Sequence, residues 1–205
     1  MPPLTEMLAR RYDFDLTPHY PLLVTQFLVL GCPMLLGALA GLLVLDDRDQ
    51  RTLTALRVTP VPVMTYAGYR AGTVVVVTTA YVVTTTWASG LVPARLLPAA
   101  LLVGVLSGLL ATLLALTVAT FAGNKVEGMA IMRAAGILVV GLPVLPWFVP
   151  GNWQALFAVL PAYWPAKAFW VAAEGGPYLV PLVVGIAYHG LLLWPLTRAF
   201  ARRQR

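Results

Sequence analysis

The 205-residue chain is 60% hydrophobic and only 11% charged, with a formal net charge of +6. That is more apolar surface than a soluble domain of this size can bury, so the composition excludes a soluble protein and defines an integral membrane protein. The apolar runs are too continuous for a barrel, whose strands alternate over about ten residues, and the single cysteine, Cys32, excludes an internal disulfide.

In chain order, residues 1–20 carry no basic start followed by an apolar core, and Pro2, Pro3 and Pro18 break them up, so they read as an outer loop. The expectation is a six-span fold whose first helix is absent. The first span, 21–45, contains Pro33 and places Gly37 and Gly41 one helical turn apart. That GxxxG spacing allows a second helix to approach closely without saying which one.

The loop 46–62 is the densest patch of charge in the chain. Asp46, Asp47 and Asp49 precede a short run threaded by Arg48, Arg51 and Arg57 and closed by Pro60 and Pro62. The pattern predicts a short helix with its acids at the positive N-terminal end and Arg57 in the last turn. Leu53 and Leu56 share one face, and Arg51, Thr54 and Arg57 share another. A helix this short does not hold alone in water, so it needs a partner surface.

The second span, 63–91, holds a run of threonines from Thr73 to Thr86. They bond back to their own helix carbonyls, or else Thr78, Tyr81 and Thr85 face a substrate path. The third span, 97–121, repeats the small-residue spacing at Gly104 and Gly108 and ends in GNKVEG. That string is not a phosphate loop, which requires Gly, four residues and then Gly-Lys-Ser/Thr, a pattern the chain nowhere contains.

The fourth span, 134–148, is interrupted by Pro143 and Pro146, and the fifth is 178–200. Between them, 149–177 is a proline-divided aromatic stretch that reads as short re-entrant helices in the outer membrane face. There Trp164 and Trp170 are either interfacial anchors or part of a gate. His189, within the fifth span, is expected to be neutral and hydrogen-bonded between helices rather than reactive. No cofactor site and no set of metal ligands is visible.

The basic residues set the orientation. Arg48, Arg51, Arg57 and Arg70, then Lys125 and Arg133, then the tail Arg198, Arg202, Arg203 and Arg205 all fall on one side. They outnumber Arg10, Arg11, Arg95 and Lys167 on the other, which predicts an outside N-terminus and a cytoplasmic C-terminus. The positive charge is then an anchor to membrane lipids, not a nucleic-acid site. The fold class is therefore all-α and integral to the membrane, with five transmembrane helices in a single domain.

The string DDRDQRTLTALRVTPVPVMTYAGYR resembles the acidic approach and coupling helix of type-2 ABC exporter permeases. PLTEMLARRYDFDLTP, NKVEG and PAYWPAKAFW extend the resemblance over the whole chain, and it is closest to bacterial fluoroquinolone export permeases. It implies a multi-pass subunit of the bacterial plasma membrane. That subunit would pair with a second permease, identical or related, and with a separate ATP-binding subunit that binds and hydrolyses the ATP. Residue by residue, the resemblance puts the ATPase coupling element on Asp49, Arg51, Thr52, Leu53, Leu56, Arg57 and Pro60. Gln50 and Arg51 depart from the family's usual acid and glycine. A hydrophobic or amphipathic small molecule is the implied cargo.

Two other classes stay open on the residues alone. A membrane-embedded lipid-modifying enzyme could use Asp46, Asp47 and Asp49 as oxygen ligands for a divalent cation, and a structural subunit of a membrane complex would need no chemistry at all.

Overall fold

A computed structural model of the chain describes residue 11, residues 15–50 and residues 63–203. Among the described residues there is no strand, and five helices are long and apolar enough to cross a membrane. These are α1 (Thr17–Asp49), α2 (Val63–Ser89), α3 (Ala94–Phe121), α4 (Lys125–Phe148) and α7 (Leu179–Arg203). Between the last two lie the short α5 (Gly151–Gln154), a 3-10 turn Ala155–Val159, and α6 (Tyr163–Ala173). The all-helical, five-span expectation is met. The predicted coupling residues Arg51, Thr52, Leu53, Leu56, Arg57 and Pro60 lie outside the described residues.

Helix α3 is the core. Val103, Leu106, Leu110, Ala111 and Val118 are all fully buried, and α1, α2 and α7 pack around it. Apolar side chains gain little by leaving lipid for protein, so close backbone approach has to come from small residues. The two GxxxG pairs supply it. A Cβ at Gly37 would lie 2.7 Å from the Ala111 carbonyl, and one at Gly41 would lie 2.8 Å from Val118 Cβ, so this pair seats α1 on α3. A Cβ at Gly104 would lie 3.2 Å from Thr79 Cα, and one at Gly108 would lie 2.7 Å from Val75 Cα, which seats α2 on the opposite flank of α3. Gly185 does the same for α7, against Leu106 and Trp164.

Several expectations need correction. The fourth helix begins at Lys125, not at 134. The cause is a capping box: Asn124 Oδ1 accepts from the Glu127 amide at 2.9 Å, while the Glu127 carboxylate takes the Gly123 amide at 2.7 Å and Asn124 Nδ2 at 2.9 Å. The acids were also expected at the start of a short helix, but Asp46, Asp47 and Asp49 occupy the last turn of α1. Their charge opposes the helix dipole there, and contacts from other helices compensate for it.

Helix α1 is locally widened at Thr25–Leu30, just before Pro33, and α4 at Ile137–Gly141, just before Pro143. Proline has no N–H to give to the preceding turn, so wide turns with free carbonyls form upstream of it. Gln26 Nε2 bridges the two segments by donating to the Val140 carbonyl. The second helix stops at Ser89 rather than 91 because Gly90 takes a left-handed backbone conformation (φ 61°). Gly175 (φ 78°) ends α6 in a Schellman turn, with Gly176 N–H donating to the Val171 carbonyl at 2.8 Å and Gly175 N–H to that of Ala172 at 3.0 Å.

Candidate functional site

The ends of α1 and α2 that flank residues 51–62 form a closed polar triangle. Tyr66 and Arg70 are one turn apart on α2, so both face the same neighbour. Arg70 Nε donates to the Tyr66 hydroxyl at 3.1 Å, that hydroxyl donates to Asp47 Oδ2, and Arg70 Nη2 donates to the same carboxylate oxygen. The guanidinium carbon also stands 5.4 Å from the Tyr66 ring centroid, a cation–π arrangement. Asp47 and Arg70 side chains are 22% and 29% exposed, so water screens this pair less than it would a surface pair.

The neighbours of Asp47 reach elsewhere. Asp46 pairs with Lys125, the first residue of α4, at 2.5 Å. Arg48 donates to the carbonyls of Ala119 (2.5 Å) and Ala122 (3.2 Å) at the end of α3, and Arg203 of α7 donates to that of Thr120. The last carbonyls of a helix lack intrahelical donors and carry partial negative charge, so two arginines are the fitting caps. Arg198 completes this end of the bundle by stacking 3.8 Å from the Trp194 ring centroid.

Two clefts open along this part of α2. One of about 30 Å³ is lined by Val44, Tyr66, Arg70, Ala115 and Phe200. A larger groove of about 250 Å³ opens between α2, α3 and α7 along Gly68, Gly72, Val75, Leu109, Thr112 and Leu193. Their walls are almost wholly apolar.

The residues expected on a substrate path do not line either cleft. Thr78 is buried, with no hydrogen-bond partner among the described residues. Tyr81 is 47% exposed on the outer face of α2, and Thr85 bonds back to the Tyr81 carbonyl at 2.7 Å. Thr79 and Thr84 behave likewise, toward Val75 and Ala80, so back-bonding accounts for most of the threonine run. Trp164 and Trp170 sit apart from these three. Trp164 Nε1 donates to Ala158 at 3.0 Å, and Trp170 packs edge-on against Trp147 at 5.3 Å.

The 149–177 segment is fastened from several sides. Gln154 Nε2 donates to the carbonyls of Pro146 and Val149, its oxygen accepts from Lys167 at 2.7 Å, and Tyr188 donates to the Val159 carbonyl at 2.6 Å. Burial raises the Tyr163 phenol above its ordinary pKa. Buried His189 bonds the Gly185 carbonyl of its own helix at 2.8 Å rather than bridging two helices, so that expectation is corrected as well.

Sequence reasoning missed the triangle and the caps. Two signals could have been read: the four-residue spacing of Tyr66 and Arg70, and the Asn-Lys-Val-Glu capping pattern.

A bundle of membrane-length helices packed on a central helix, with the Asp46–Lys125 and Asp47–Arg70 ion pairs at one end, defines a polytopic α-helical membrane protein. Residues 1–197 match the family described as Fluoroquinolones export permease protein Rv2686c-like. Similar proteins are the Fluoroquinolones export permease proteins Rv2686c of Mycobacterium tuberculosis (strain ATCC 25618 / H37Rv) and MT2760 of Mycobacterium tuberculosis (strain CDC 1551 / Oshkosh). Each is 51% identical over 199 residues, which is 97% of this chain and 79% of the relative. The chain belongs to this family of export permeases, and the resemblance drawn from its own strings is borne out. No solved structure matches it.

Proposed function

We propose that the chain is the membrane-spanning subunit of an ATP-binding-cassette exporter in the bacterial plasma membrane. It moves a hydrophobic or amphipathic drug-like molecule outward, with a fluoroquinolone as the first candidate from the names of its relatives. In this reading ATP is bound and hydrolysed by a separate subunit, as the permease names of its relatives imply. The permease itself is non-catalytic, and it works beside a second permease subunit, identical or related. The observation that carries the reading is that residues 51–62, whose sequence contains Arg51, Leu53, Leu56 and Arg57, connect helix ends clasped together by Asp47, Tyr66 and Arg70. Such a stretch is suited to receive a push from a soluble partner.

The test is reconstitution with an ATP-binding-cassette ATPase subunit that co-purifies with the permease. Truncating a well-packed leucine costs about 2–5 kcal/mol, whereas an exposed ion pair contributes about 0–1 kcal/mol. A Leu53→Ala/Leu56→Ala double variant should therefore lose co-purification with the ATPase, while Arg57→Ala loses less. Wild-type ATPase binding and transport by the double leucine variant would refute the coupling role of this stretch.

A further inference from the structure

Three consecutive residues at the end of α1 each bind a different helix: Asp46 holds Lys125 of α4, Asp47 holds Tyr66 and Arg70 of α2, and Arg48 holds the terminal carbonyls of α3. Successive side chains on a helix point about 100° apart, so one turn can address three neighbours. Arg203 adds α7 to the same α3 terminus.

The packing elsewhere gives this turn its importance. Each of α1 and α2 is seated on α3 through its own glycine contacts, but directly between them runs a groove of about 150 Å³ lined by Leu36, Leu39, Leu43, Val74 and Val77, with Arg70 at one end. At that end the Asp47–Tyr66–Arg70 triangle is the polar tie between the two helices. A force applied to residues 51–62 reaches α1 and α2 from opposite exits. Without the tie it would splay them along the groove, and with it the pair moves as one body.

We propose that Asp46, Asp47 and Arg48 form a transmission hub that converts displacement of the 51–62 stretch into concerted movement of α2, α3 and α4, with Asp47–Tyr66–Arg70 as its essential link. These are positioning residues and not contacts to the ATPase, which separates them from Leu53 and Leu56. The proposal rests on the coupling role assigned above.

The experiment uses the complete permease with its ATP-binding partner in proteoliposomes, a fluoroquinolone followed by its own fluorescence, and three readouts: co-purification, ATP hydrolysis and drug moved per ATP. Asp47→Asn should keep the complex and its hydrolysis but lower transport per ATP, by about tenfold where the link carries the coupling free energy typical of groups in one hydrogen-bonded network. Tyr66→Phe, which removes a single hydroxyl, should shift the ratio in the same direction by less. The charge-exchanged Asp47→Arg/Arg70→Asp protein should recover part of the loss. Wild-type transport per ATP in Asp47→Asn would overturn the proposal. So would loss of ATPase binding in that variant, since it would make Asp47 a docking residue. An exchange no better than the single variant, or a Tyr66→Phe protein that does not fold, would reduce the triangle to a stability element and overturn it too. The leucine variant of the preceding test should lose co-purification, which Asp47→Asn keeps, so failure of the coupling reading is told apart from failure of the hub.

Discussion

Substituting alanine at Gly108, Gly104 and Gly72 probes whether the bundle is built on glycine contacts. A Cβ at Gly108 would lie 2.7 Å from Val75 Cα and 3.0 Å from its carbonyl oxygen, both backbone atoms that move only if α2 moves. Carbon atoms pack at about 3.5–4.0 Å, so α2 has to retreat by roughly 1 Å. Overpacking of this kind costs about 1–3 kcal/mol, against which alanine's better helix propensity offsets about 0.8–1.0 kcal/mol. At Gly104 the nearest atom, Thr79 Cα, is 3.2 Å away, so the penalty is smaller; at Gly72 nothing lies within 4 Å, and only the propensity gain remains. The expected order of stability is Gly72→Ala, then Gly104→Ala, then Gly108→Ala. Thermal unfolding in detergent, followed by tryptophan fluorescence, reads it out. For a chain of this length about 1 kcal/mol corresponds to about 2–4 °C, so the outer members of the series separate measurably. Equal melting of Gly108→Ala and Gly72→Ala would refute the close seating of α2 on α3.

Two further outcomes are expected. Asn124→Ala removes the capping box that starts α4 and should lower stability by about 1 kcal/mol, with faster amide exchange confined to the first turn after Asn124; unchanged exchange there would remove the cap's role. In a background without Cys32, cysteines at Ser89 and Thr54 should react with an impermeant reagent from opposite faces of the membrane, as the basic residues require. Labelling of both from one face would overturn the orientation and the five-span topology with it.

Length and hydrophobic patterning by themselves determined that this is a membrane protein with five spanning helices and a broken aromatic segment before the last. The bilayer imposes a minimum apolar length that any reader of the sequence can measure. The strings around Asp46–Tyr69, Asn124–Gly128 and Pro161–Trp170 carried the family as well.

Tertiary structure alone decided partnership. Gly37/Gly41, Gly104/Gly108 and Gly68/Gly72 share one spacing, yet the first two pairs are filled by α3 and α2 while the last faces open space, because spacing encodes the capacity for close approach and not the identity of the neighbour. The acids at the end of α1 show the same limit in electrostatics. Local dipole reasoning placed them at a helix start, where a favourable charge contributes about 0.3–1 kcal/mol. Arg70, far away in sequence, gives Asp47 a charge-assisted bond in a half-buried site, and Lys125 pairs with Asp46, so both acids stand at a helix end instead.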